Sequence, residues 1–334
     1  MKLTKAFVGL LGVAVMAASA QAAVPHPPVI KVSTTLVARI ASPKPSGLGL
    51  MKTAALQTAL DRYGFGVGLI DGQAGARTSI ALHDYARATG QTENEARNEL
   101  LAEPDPATVP YTLTQENLAS VGAAPTDWEE AALLPAMACR CVEEVLLEQF
   151  HVSRPFLQRL NPALTNWAAL TAGTIITVPN VRPPDWSIPA ARLEVDCSLY
   201  RVRAFDTNND LIASFPCSIA KQLHKVPVGD LTFVAFAPNP NYTFDPENFP
   251  ESARAREIGR KLIIPPGPRN PVGVYWLSLS APGFGMHGTP HPETIGRRES
   301  HGCFRLTNWD ITALAGMVEM GTPVRVMNVP RDEQ

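Results

Sequence analysis

The 334-residue chain has no surplus of either charge: 29 Lys and Arg face 31 Asp and Glu, a formal net charge of −2. Without a basic excess nothing displaces phosphate counterions, which excludes a nucleic-acid binder. Aromatic residues make up only 7% and cysteines number five. Past the first two dozen residues there is no apolar run near the ~20 residues that span a bilayer. The apolar fraction is nonetheless 45%, too high for disorder over most of the length. Proline is plentiful, at 31 residues against an average of ~5%, so long helices cannot dominate. At roughly 100–200 residues per domain, the length suits two or three domains.

The N-terminus reads as an address. Met1-Lys2-Leu3-Thr4-Lys5 is basic, residues 6–18 are apolar and uncharged, and Ala20-Gln21-Ala22 has the small-x-small pattern of a signal-peptidase site. Residues 1–22 are therefore expected to be a signal peptide and the mature protein to lie outside the cytoplasm, periplasmic or wall-associated, without a membrane span. Residues 23–48 hold Pro25, Pro27, Pro28, Pro43 and Pro45 and read as a Pro-rich linker.

In that oxidising setting the cysteines are candidates for bridges. Cys139 and Cys141 are too close in sequence to pair readily with each other, so bridges to Cys197 and Cys217 are one arrangement. A Cys197–Cys217 bridge between neighbouring strands is another, and spacing does not choose. Cys139-Arg140-Cys141 lacks a second ligand pair at zinc-finger spacing. The odd count leaves one thiol over, and Cys303 lies in a motif that needs a free one.

Residues 49–100 follow a helical pattern. Leu56 and Leu60 are four apart, and Leu82 and Tyr85 three apart, around a turn built on Gly64, Gly66, Gly68, Asp71 and Gly72. Leu56-Gln57-Thr58-Ala59-Leu60, followed by Ile70-Asp71-Gly72 and Gly75, resembles the helical peptidoglycan-binding module found beside wall enzymes. Across residues 137–181, Val142, Val145, Leu146 and Phe150 mark one face of a short helix. Ser153 can cap a second helix carrying Phe156, Leu157 and Leu160, ending at Asn161-Pro162, before a strand at Gly173 to Pro179. This order resembles a LysM module, although no opening strand is evident before Cys139. His83 and His151 read as surface or packing residues.

Arg182-Pro183-Pro184-Asp185 forms a second linker. Residues 190–328 then read as mostly β. Leu193-Glu194-Val195-Asp196 and residues 201–206 alternate with a period of two, and Asn208-Asn209-Asp210 turns the chain into residues 211–219. Residues 232–236, 273–279 and 324–327 are further strands. Asn308 is expected to cap one helix whose stripe is Ile311, Leu314, Ala315 and Val318, closed by Gly321.

Chemistry concentrates between Met286 and Leu306. Thiol catalysis needs a thiolate, a base to make it and donors for the oxyanion formed on attack. Cys303 can be the nucleophile, and the backbone N–H groups of Gly302 and Cys303 can be the donors. A nearby imidazole lowers a thiol pKa from ~8.5 by pairing as imidazolium with thiolate. His301, two residues away, would share a strand face with Cys303, whereas His287, sixteen away, needs a loop to fold back. A metal reading would use His287, His291, His301 and Cys303. Yet Gly288 and Pro290 between the first two histidines rule out the helical pair of zinc proteases.

Ser300-His301-Gly302-Cys303-Phe304-Arg305, preceded by Met286-His287-Gly288-Thr289 and Ile295-Gly296-Arg297-Arg298, resembles the L,D-transpeptidase catalytic domain of the YkuD family. Phe304 stands where that family more usually has an aliphatic residue. The resemblance implies a mostly-β catalytic domain, a β-sandwich-like sheet with one helix, preceded by small α-helical and α+β wall-binding modules. It implies Cys303 as nucleophile, His287 as base, His301 lining the site and Gly302 as oxyanion donor, with Arg305, Ser300, Gly288 and Thr289 toward substrate. No metal or organic cofactor is implied. The partners would be peptidoglycan stem peptides and glycan, with an amine or a wall protein as acceptor. Water as acceptor would give an L,D-carboxypeptidase. A zinc-dependent wall hydrolase and a non-catalytic wall-binding protein are the alternatives of other classes. Arg297 and Arg298 read as a solvated basic loop.

Overall fold

A computed structural model describes residues 49–182, 188–249 and 251–330. The signal peptide and first linker lie outside the described residues, as does most of the second linker. Helices α1 (Leu50–Arg62), α2 (Ala76–Thr89) and α3 (Glu93–Leu101) come first. Between α1 and α2 the chain is held by Gln57, whose Oε1 accepts the N–H groups of Asp71 and Gly72 at 3.1 and 2.8 Å. Gly90 ends α2 in the left-handed region at φ 69°, and a capping box of Thr92 and Glu95 starts α3. Leu56, Leu60, Leu82 and Tyr85 are buried together with Phe65 and Ile70.

The middle unit pairs β1 (Thr108–Thr112) antiparallel with β2 (Ile175–Pro179), with Tyr111 opposite Ile176. Between them run α4 (Gln115–Ala119), α5 (Trp128–Ala132), α6 (Val142–Gln149) and α7 (Arg154–Leu160). β1, the strand that pairs with β2, lies well upstream of residues 137–181. Pro110 lies at its centre, tolerated because β1 has a neighbour on one side only. A segment carrying α5 separates it from α6 and α7. Asn161 ties the end of α7 to β2, donating to Thr177 O and accepting the Thr177 N–H at 2.8 and 2.7 Å.

Next come β3 (Arg192–Asp196), β4 (Arg201–Phe205), β5 (Leu211–Pro216), β6 (Ile219–Ala220) and β7 (Gly229–Pro238). After them, β8 (Tyr242–Phe244), helix α8 (Ala253–Ile258) and β9 (Leu262–Ile264) form a small hairpin unit. The chain ends with β10 (Tyr275–Leu279), β11 (Gly285–His287), β12 (Arg298–Ser300), β13 (Phe304–Arg305), α9 (Asn308–Met317) and β14 (Pro323–Met327). Eight strands make one curled mixed sheet in the order β13-β11-β10-β7-β14-β3-β4-β5. The expected β-sandwich-like arrangement is therefore a single sheet with short two-stranded pieces beside it, and α8 is a second short helix. Alternation identifies the buried face of a strand but not its partner, so it does not separate these two arrangements.

In α9 the cap is Thr307, whose hydroxyl accepts the Asp310 N–H at 3.1 Å, and not Asn308. Ile311, Leu314 and Met317 are its buried stripe, while Ala315 and Val318 are only partly buried. At the other end of the sheet, the turn after α1 covers the free edge of β5. Gly66 N–H donates to Ser214 O and Ser214 N–H to Gly64 O, at 2.8 and 3.0 Å. Covering an edge removes a template for association with other chains. Beneath it the buried Asp84 carboxylate accepts from Arg203 Nε at 2.9 Å and from Ser214 Oγ at 2.5 Å.

All five cysteines are free thiols, and neither expected pairing is formed. Cys197 and Cys217 are both fully buried, and burial raises both thiol pKa values, that of Cys197 to about 12. No helix among the described residues is long and apolar enough to cross a membrane.

Candidate active site

His287 ends β11, and its position follows from pairing on both sides. Trp276 of β10 lies opposite it in the antiparallel register and Arg305 of β13 in the parallel one. The Trp276 indole packs flat on the imidazole, with centroids 5.4 Å apart and planes at 15°. Because the Gly288 carbonyl can only accept, the 2.6 Å contact with Nδ1 fixes the proton there and leaves Nε2 with its lone pair. Burial lowers the His287 pKa to about 4, with the Arg305 cation adding to the shift and the Gly288 bond opposing it. The imidazole is thus neutral at physiological pH.

Cys303 immediately precedes β13. Its Sγ lies 3.9 Å from Gly283 O and receives the Gly285 N–H. Gly285, whose N–H meets the sulfur, lies two residues before His287 on β11. No Sγ–imidazole hydrogen bond is formed. Burial raises the thiol pKa, and the Gly285 N–H only partly offsets it. The resting pair is therefore neutral thiol and neutral imidazole, not the imidazolium–thiolate pair that proximity alone suggests. Catalytic hydrogen bonds that tighten only with substrate are common.

The turn before Cys303 is held from within. Ser300 Oγ donates to Cys303 O at 2.6 Å and accepts the Gly302 N–H at 3.2 Å. The Gly302 N–H expected at an oxyanion is thus engaged by Ser300, whereas the Cys303 N–H has no acceptor among the described residues. Gly302 has φ +155°, and a Cβ there would lie 2.6 Å from the Phe284 ring, so only glycine fits.

Of the residues expected to meet substrate, Ser300, Gly288 and Thr289 are buried. Ser300 braces the turn. Thr289 Oγ1 accepts the His291 N–H at 3.2 Å, and Gly288 lies against Asn308. These three shape the site without presenting surface to it. Arg305 donates to Glu299 at 3.0 Å, while its buried Nε has no partner among the described residues. His301 is exposed and meets the edge of Phe249, at 5.5 Å between centroids. His291 is exposed beside Glu293, away from buried His287. Among the described residues no three His, Cys, Asp or Glu side chains gather as metal ligands.

Three contributors were not read from the sequence. Trp276 packs on the imidazole. Tyr242, on the hairpin unit, has its phenol pKa raised by burial, then Asp245 and Cys303, which puts it near the thiol. Asn308 Oδ1 accepts the Val274 N–H at 3.3 Å, and the side chain fills the space left by Gly273 and Gly288. Its amide donates to Pro268 O at 3.0 Å and to Glu148 of α6 at 3.3 Å. Asn308 follows the motif closely enough to be noticed, but its role is set by loops distant in sequence.

Residues 190–326 match the YkuD family profile, described as an L,D-transpeptidase catalytic domain. The chain is 31% identical over 183 residues to the protein named YkuD in Bacillus licheniformis, covering 55% of this chain and 92% of that one. Its counterpart in Bacillus subtilis is 30% identical over 177 residues, covering 53% and 88%. A solved L,D-transpeptidase structure from Mycobacterium smegmatis aligns at a TM-score of 0.33 and 18% identity, covering 47% of this chain and 64% of that one. With near-complete coverage of the Bacillus proteins at this identity, the chain belongs to the YkuD family of L,D-transpeptidases.

Proposed function

We propose that the protein is a cysteine-dependent L,D-transpeptidase acting on peptidoglycan stem peptides. The observation that supports this reading is His287 at the end of β11, its Nδ1 bound to Gly288 O and its Nε2 lone pair free, beside the strand β13 that Cys303 leads into. The Cys303 sulfur attacks the carbonyl of the third stem residue as its proton passes to His287 Nε2. The amide bond to the terminal D-alanine breaks, and His287 returns the proton to the departing amine. A thioester then joins the stem to Cys303. An incoming amine attacks it, His287 takes the amine's proton, and the thiol is restored as a 3→3 cross-link or an anchored protein forms. Starting from two neutral groups, charge separates only when the oxyanion develops, and a water-poor site strengthens its stabilisation. The Cys303 N–H is the donor without a competing acceptor, and opening of the Ser300 contact frees Gly302 to join it. Arg305 would hold a stem carboxylate through its guanidinium, and His301 would line the entrance.

The remaining parts fit a wall-acting enzyme. Domain limits of 49–100, 137–181 and 190–328 follow the sequence pattern, with the middle unit extended upstream to include β1. The helical unit would act as a peptidoglycan-binding module and the β-helix-helix-β unit as a LysM-like glycan reader. An N-terminal signal peptide would deliver the chain to the periplasm. The test is mass spectrometry of muropeptides after incubation with wild type and Cys303→Ala. Wild type should yield 3→3 dimers and release D-alanine, and the variant neither. Trimmed monomers alone would reassign the enzyme as a carboxypeptidase, and activity surviving in Cys303→Ala would overturn the thioester route.

A further inference from the structure

A cavity of about 820 Å³ lies where the helical unit, the middle unit and the catalytic domain meet, on the α6 and α9 side of the molecule. Its size is that of a small-molecule site, typically ~300–1,000 Å³. Val145, Phe215, Val274 and Ala313 give it apolar walls, while Asp61, Glu148, His151 and Asp310 converge on it. His151 Nδ1 contacts both Asp61 oxygens at 3.0 Å, and its ring stacks on Trp309 at 4.7 Å. Among the described residues two polar atoms in this wall have no partner: Asp310 Oδ2, on a residue only 3% exposed, and Trp309 Nε1.

The positive groups that line the cavity, His151 and Arg182, are already paired. His151 is held by Asp61 and Arg182 by Asp105; behind the wall Arg269 is held by Glu144, and Arg201 by Asp84 and Gly66 O, with its buried Nη2 unpartnered among the described residues. Among the described residues Glu148 receives the Asn308 amide alone, and Asp310 Oδ2 nothing. The cavity lining thus has spare carboxyl acceptors and no spare cation, and a buried acceptor left unmet costs free energy that a donor recovers. We infer that this cavity is a binding site for a small organic ammonium ion with an apolar body, its nitrogen meeting Asp310 and Glu148 and its carbon skeleton the apolar wall. Neither Cys303 nor His287 lines the cavity, and its occupancy does not depend on the reaction proposed there.

The two carboxyls also give the site a pH signature. Burial, the largest cause for each, raises Asp310 and Glu148 to about 7. Asp61 pushes Asp310 up further, with His151 and Arg201 opposing, while Glu144 pushes Glu148 up, with His151 and Arg269 opposing. A cation prefers the ionised carboxylates, so its binding tightens as pH rises through 7.

Calorimetric titration of the full chain with hexylammonium, and with hexanol and hexanoate as neutral and anionic isosteres, tests the inference. At pH 8 hexylammonium should bind at least about tenfold tighter than hexanol, the size of one charged hydrogen bond. Its affinity should fall on going to pH 6. Asp310→Asn, which keeps the side-chain shape, should lose about tenfold. Ala313→Phe, which fills the cavity, should abolish binding with the fold intact by circular dichroism. Equal binding of hexanol, an affinity indifferent to pH, or no binding of any probe would overturn the assignment. The Ala313→Phe and pH arms decide the matter even if Asp310→Asn does not fold.

Discussion

A single imidazole decides how the proposed chemistry responds to acid. His287 must be neutral to take a proton, and burial holds its pKa near 4. The acid limb of kcat/KM should therefore fall near pH 4, well below the ordinary imidazole range of ~6.5. The Arg305 cation contributes to that depression. Arg305→Gln should accordingly move the limb to higher pH, measured as a pH–rate profile on a stem-peptide substrate. A limb that stays put would show that Arg305 exerts no charge effect on the base. Cys303 and the motif around it were legible in the sequence because local order carries them. The tautomer, the neutral charge state and the Trp276 contact were not, since each depends on strands that pair across long separations.

Elements tell a similar story. Alternation at 193–196 and 201–206 located β3 and β4, and the apolar faces located α6 and α7. β1 escaped notice because Pro110 breaks the strand pattern and α5 separates it from α6 and α7. Residues 239–270 showed no periodicity, yet they form the hairpin unit that brings Tyr242 and Phe249 to Cys303 and His301. That unit is braced by α5. Trp128 stacks on Phe244 at 4.6 Å, Arg254 reaches Asp127 and Glu129 at 2.6 and 2.8 Å, and Met137 N–H donates to Pro266 O at 2.8 Å. Exposed ion pairs are worth little, so the aromatic stack dominates. Trp128→Ala should destabilise the unit by on the order of 2 kcal/mol, below the full cost of a buried aromatic. Hydrogen exchange should speed up across 242–264 and leave β3 and β4 unchanged, and KM should rise more than kcat falls. Unaltered exchange would mean that the hairpin stands without α5.

At the scale of the whole molecule, the three units share buried polar contacts as well as apolar ones. Phe205 and Leu211 of the catalytic sheet belong to the same core as α1, α2, α6 and α7. Glu148 lies in the middle unit, His151 just beyond α6, and Asp310 in α9, so the junction itself titrates. Glu148 and Asp310 sit near 7 when folded, above the ~4 of an exposed carboxyl, and therefore bind protons more tightly in the folded state. Their contribution is present at low pH and is lost as pH rises from about 4 to 7. His151 works in the same direction. Burial alone would lower its pKa, but Asp61, then Asp310 and Glu148, raise it, so its stabilisation holds below ~6.5 and fades above its folded pKa. The three groups add in sign, and each carboxyl shift corresponds to on the order of 3 kcal/mol, reduced by their mutual coupling. Denaturant unfolding should therefore show greater stability at pH 5.5 than at pH 8, a reversal of the usual benefit of ionised carboxylates. Glu148→Gln should flatten the slope, because a neutral amide has no proton to lose. A stability that rises across this interval would mean that water reaches the junction and holds both carboxyls near their ordinary values.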